Sequence, residues 1–179
     1  MKRSLFTGGS LLAIVALVAA WIPAPAQTVN PILGTWKQNI EKSVYNPGPA
    51  PPVGLGAVRQ YAAGADGSIV AVTFNLDDKG LPSLGAISAA NYDGKEYPQH
   101  TVATLATSLG SHLAPKVERT ISYTPINLYS VEIVQRQDGK VVARSTRTIA
   151  RDGKTMTDKS DYVDEGQRHV QNVLVFEKQ

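Results

Sequence analysis

The chain of 179 residues has no cysteine, which excludes a disulfide scaffold, a thiolate zinc site, a thiol nucleophile and a lipoprotein acylation site. Histidine is scarce. His100, His112 and His169 stand alone, without His-x-His or His-Glu-x-x-His spacing, so no metal site is expected. There is no Gly-x-Ser-x-Gly elbow for a serine nucleophile. Gly80 to Gly85 (Gly-Leu-Pro-Ser-Leu-Gly) lacks the lysine of a phosphate-cradling loop and is better placed in a turn. Excess charge is also small: 18 Lys and Arg oppose 15 Asp and Glu, for a formal +3. Setting aside Lys2 and Arg3, which belong to a leader described below, leaves +1. Nucleic acid and anionic membrane both need clustered positive charge, and none is present. Arg59-Gln60-Tyr61, and Arg119 with Tyr123, interleave base and aromatic too sparsely for a nucleic-acid platform.

What is present begins with an address. Lys2 and Arg3 precede the apolar run Leu11 to Ala20, followed by Pro23 and Ala24-Pro25-Ala26. This is the pattern of a secretory signal peptide cleaved after Ala26, giving a chain that starts at Gln27 and is periplasmic or secreted. A membrane anchor would need about 20 apolar residues and a stop-transfer flank. No second run of that length follows, so no integral membrane segment is expected after cleavage.

Residues 27–179 are expected to form a single domain. Within it, residues 46–56 hold four prolines among Asn46-Pro47-Gly48-Pro49-Ala50-Pro51-Pro52-Val53-Gly54-Leu55, and neither helix nor paired strand can continue through them. Too few residues precede this loop to make a domain of their own, so it reads as a lid or crossover. Turn signals then recur at Asp66-Gly67, Lys79-Gly80, Asp93-Gly94, Asp138-Gly139, Asp152-Gly153 and Glu165-Gly166. Glycine and its acidic neighbour tolerate the positive φ of tight hairpins, and the spacing leaves room for strands of about ten residues. The best helical candidates are short, 40–45 and 102–113. The chain should be mostly β, an antiparallel up-and-down meander with short helical segments.

Alternation assigns faces. Val117, Ile121 and Tyr123 should point inward with Arg119; Tyr129, Val131 and Ile133 share a face; so do Met156, Asp158, Ser160 and Tyr162, and Val170, Asn172, Leu174 and Phe176. Arg144 and Arg147 are three apart, so one of them must point inside unless a bulge intervenes. Together with Arg119, Asp158 and Asn172 this predicts a polar feature in an apolar interior, where a charge persists only if paired or solvated. An Arg119 to Asp158 pair is one arrangement. The alternatives are exposure at strand ends, or an internal ion pair that only fixes register.

Gly34-Thr35-Trp36 at the start of the first strand of such a meander resembles the Gly-x-Trp opening of lipocalins and fatty-acid-binding proteins. In that family the tryptophan caps one barrel end under a late-strand cation, for which Arg168 or Lys178 are the candidates here. The stretch Gly34-Thr35-Trp36-Lys37-Gln38-Asn39 through Lys42-Ser43, with Asp152 to Thr157 and Asn172 to Gln179, is similar to a lipocalin-like family of small exported bacterial proteins of uncharacterised function. The resemblance implies a lipocalin-like barrel. Closure suits a meander, because it removes exposed sheet edges, and about eight to ten strands enclose room for side chains or one small ligand.

The leading expectation is an exported lipocalin-like barrel binding a small, mainly apolar molecule, with a carboxylate or phenolate matched by an interior arginine fork. Tyr92, Arg119, Tyr123 and Arg147 are the candidate ligand contacts, and Trp36 is structural at the closed end. A second reading is a cofactor-free isomerase, lyase or hydratase on the same barrel, with His100, Tyr123 or Arg119 as catalytic candidates. A third is an envelope interaction or stress protein with a filled barrel. No cofactor is expected under any of them, and the sequence does not set the oligomeric state.

Overall fold

A computed structural model describes residues 30–46, 48, 56–102, 117–163 and 169–179. The leader lies outside these residues, as do His112, Glu165-Gly166, Arg168 and nearly all of the Pro-rich stretch. The described chain contains ten strands: β1 (Gly34–Val44), β2 (Gly56–Ala63), β3 (Ile69–Leu76), β4 (Pro82–Ala90), β5 (Glu96–Thr101), β6 (Arg119–Asn127), β7 (Ser130–Gln137), β8 (Lys140–Ile149), β9 (Thr155–Val163) and β10 (His169–Lys178). Each pairs antiparallel with its neighbours in sequence, and β1 pairs with β10 to close an up-and-down barrel. No helix among the described residues is long and apolar enough to cross a membrane.

The turns follow their chemistry. Gly67, Gly80, Gly94, Gly139 and Gly153 all take φ between 69° and 84°. In the two-residue turn between β7 and β8 Asp138 is itself left-handed at 49°, as a type I′ hairpin requires of both central residues. Elsewhere aspartate side chains hold the turns: the Oδ1 of Asp66, Asp77, Asp93 and Asp152 each accept a backbone N–H two residues on.

Local expectation gave way to pairing in two places. Residues 40–45 are not helical: β1 runs to Val44, where it pairs with Val173 after a register shift beyond Asn39. The Asn39 side chain accepts the Lys42 N–H and its carbonyl accepts the Ser43 hydroxyl, a tight local turn folded into a strand that barrel closure keeps extended. Gly56, placed in the loop, begins β2. Of the helical candidate 102–113, only Val102 lies among the described residues.

Two apolar clusters pack inside the barrel. Ile32, Trp36, Tyr61, Ile69, Ile149, Met156 and Phe176 pack at the end where β1 begins. Ala90, Ile121, Tyr123, Val131 and Ile133 form the second, and Tyr92 packs against both. Trp36 is fully buried, donates its indole N–H to the Ile32 carbonyl at 2.7 Å, and has Lys178 Nζ 5.1 Å above its ring. We call this the Trp36 end. At the far end β1, β5 and β9 finish, and the chain segments outside the described residues connect back to β2, β6 and β10.

Candidate functional site

The interior changes character halfway up the barrel. Arg59 on β2, Arg147 on β8 and Asp158 on β9 all project inward from positions that alternation dictates, on the faces of Tyr61, Ile149 and Met156. Arg147 and Asp158 are directly opposite in the β8–β9 ladder. Their contact is a two-point fork, Nε to Oδ1 at 2.8 Å and Nη2 to Oδ2 at 2.9 Å. Arg59 Nη1 donates to the same Oδ2 from across the barrel. Both pair members are almost unexposed, Arg147 at 6% and Asp158 at 3%.

Rings support the guanidiniums. Arg59 lies 4.2 Å from the centroid of Phe176, and Arg147 lies 5.1 Å from that of Tyr61. Burial alone would hold Asp158 protonated, yet the two guanidiniums outweigh it and keep its carboxyl well below the usual carboxylate range. Burial likewise pulls Arg147 down, and the Asp158 carboxylate more than restores it. Tyr92 and Tyr123 stack at 4.9 Å between centroids, and burial raises both phenols above their ordinary range despite the nearby Arg147. They are neutral donors at physiological pH and cannot balance a cation.

The Arg59–Asp158–Arg147 bridge divides the interior. On its far side a well of about 460 Å³ opens between Arg119, Val142, Ala143, Tyr162 and Leu174, and reaches down past Ser145 and Ser160 to Arg59 and Asp158. It continues into a chamber of about 100 Å³ walled by Thr73, Ser88, Gln99, Gln135 and Tyr123. Gln135 donates to Gln99 Oε1 at 3.2 Å. On the Trp36 side a separate recess of about 300 Å³ lies beneath the turn between β6 and β7. Among the described residues lining the well and chamber, three guanidiniums face a single carboxylate.

The expected contacts are distributed across this partition. Arg147 is in the bridge and Tyr123 lines the chamber. Arg119 is on the well wall, and it does not pair with Asp158: its Nη2 donates to Gln137 Oε1 at 2.8 Å, while Asp158 is taken by the opposite Arg147 and by Arg59. Tyr92 is on the other side, in the recess. His100, the histidine among the catalytic candidates, lies within β5, paired with Ile87. Its neighbour Gln99 lines the chamber, so alternation puts His100 on the outer face, away from the site. Of Arg144 and Arg147, Arg147 is the inward one, and Arg144 is exposed beside Glu132 at 3.6 Å.

Arg59 is the member of the bridge that is not among the expected ligand contacts. The available signal was the alternation of Ala57, Arg59 and Tyr61, which puts the arginine on the face of a core tyrosine. Among the described residues no group of three or more His, Asp or Glu is placed to hold a metal ion.

No family model matches the chain, and no curated protein does. Among solved structures, the crystal structure of Rv2717c from M. tuberculosis is similar to it with a TM-score of 0.49 and 13% identity, over 87% of this chain and 98% of that one.

Proposed function

We propose that this chain is an exported, lipocalin-like barrel that binds a small molecule bearing a carboxylate or phenolate in the well opposite the Trp36 end. The observation that carries the reading is the charge balance of the well. Arg59 and Arg147 share Asp158, and Arg119 has a neutral amide partner, so the lining holds uncompensated positive charge in a partly desolvated space. An anion there is stabilised more than in water, and a guanidinium offers it two parallel donors.

The wall composition refines the ligand. Val142, Ala143 and Leu174 are apolar, but Gln135, Ser145, Ser160 and Tyr162 alternate with them. A ligand with hydroxyl groups beside its acidic end matches these walls better than a mainly apolar one. The open cavity also favours a ligand over a filled envelope protein. A proton-transferring enzyme fits less well, since Tyr123 stays protonated and His100 is outside.

Export rests on the Lys2-Arg3 leader and its Ala24-Pro25-Ala26 end, and the lipocalin-like assignment on Gly34-Thr35-Trp36 with the closed meander. The binding test is native mass spectrometry of the protein before and after exposure to an acidic metabolite fraction from its own source. A discrete adduct is expected, weakened about tenfold or more in Arg119→Ala, a change that removes only a wall residue. An adduct indifferent to that substitution, or none, refutes the proposal.

A further inference from the structure

The bridge uses only part of Arg147. Its Nε and Nη2 edge is committed to Asp158, which leaves Nη1 on the opposite side. That nitrogen is buried and has no hydrogen-bond partner among the described residues; the same is true of the Tyr92 hydroxyl. Arg147 and Tyr92 both line the recess on the Trp36 side, a space that Asp158 does not reach. Two buried donors on residues that line one cavity, each without an acceptor, are a deficit, since each such group costs about 1–3 kcal/mol when it is left unmade.

The remaining walls specify the rest of the occupant. Ile32, Pro125, Leu128, Val131 and Ile149 are apolar, and the recess is about 300 Å³. Leu128, with its neighbour Ile126, stands at the turn between β6 and β7 with about 60% of its surface exposed. Apolar walls with a cation and a neutral phenol at the back match a compact apolar body ending in an acceptor-only group of negative charge. A carboxylate is the simplest such group, because its two oxygens can take one hydrogen bond from each donor.

We propose that the recess at the Trp36 end is a second binding site, which takes a compact apolar molecule ending in a carboxylate, the carboxylate accepting from Arg147 Nη1 and Tyr92 Oη. Both atoms lie behind the recess wall, so binding includes a small displacement of the Tyr92 ring. The site is separate from the well: it lies across the bridge at the Trp36 end, shares no lining residue with the well, and shares only Arg147 with the inner chamber.

The test is a titration of the full chain, with isotope-labelled Ile, Leu and Val methyls, by 3-phenylpropanoate and by its neutral amide. Saturable shifts are expected at Ile32, Leu128, Val131 and Ile149 and in the Tyr92 ring with the acid alone. Tyr92→Phe, which deletes one hydroxyl, should weaken the acid about tenfold. Leu128→Glu, at an exposed turn where folding is undisturbed, should weaken it further by placing a like charge at the mouth. Shifts confined to Val142 and Leu174 would put the acid in the well and overturn the second site without touching the first. Equal response to the amide, or no response at these methyls, would also overturn it.

Discussion

Asp158→Asn should be the most damaging single isosteric change in this barrel. The substitution keeps volume and shape but leaves Arg59 and Arg147 facing each other with no countercharge. Three hydrogen bonds to the carboxylate, at 2.8 Å and 2.9 Å from Arg147 and one from Arg59, lose their charge assistance together. Breaking a buried pair from one side costs about 3–5 kcal/mol, and because two cations are orphaned here we expect the upper half of that range. Urea unfolding followed by tryptophan fluorescence would read this as a lower midpoint at unchanged slope. The carboxylate also sets a pH signature. Its native pKa lies below the unfolded value, so its stabilisation is complete above the unfolded value near 3.9 and is lost as the pH falls toward the native one. The wild-type protein should therefore lose stability steeply below about pH 4, with Asp158→Asn lacking that contribution. A cost under about 1 kcal/mol, or an acid slope identical in both proteins, would refute the ionised bridge.

Two further outcomes test the frame around the site. Met156→Ala removes a fully buried side chain from the Trp36 cluster, and a loss of about 2–5 kcal/mol in denaturant unfolding is expected. Gly139→Ala meets no atom within 4 Å but must hold φ near 75°, so it should cost about 1–2 kcal/mol by the same measurement, through backbone strain alone.

How far the sequence foretold this site can be judged hairpin by hairpin. Asp152-Gly153 centres the β8–β9 hairpin, and Arg147 and Asp158 are equidistant from that centre, so their pairing was implicit in turn and spacing. The pair suggested instead was Arg119 with Asp158, on the basis of facing alone. Counting outward from a turn fails where a bulge intervenes. From Asp138-Gly139 the count is right for Gln137 with Lys140 and Arg136 with Val141, then slips at Gln135, which pairs with Ala143. Arg59 was hidden for another reason. It meets Asp158, 99 residues further along the chain, only because β1 joins β10 and brings β2 round to face β9, a closure that no local pattern encodes. His100 belongs to a strand that also contains Pro98, a residue that argues locally against strand. A proline donates no ladder bond, yet Pro98 keeps register with Thr120 of β6.

That tolerance of Pro98 has a mechanical side. Among the described residues the register of β5 with β6 runs through Glu96 to Pro98 and that with β4 through Gln99 to Thr101, three residues on each side. Around a hoop, thermal opening concentrates at the thinnest tie, where the fewest hydrogen bonds must break at once. Opening along β5 is therefore expected before opening of the Trp36 cluster. Gln99, on the wall of the inner chamber, sits on that seam, so such an opening would give water a second way, through the flank, to the buried charges.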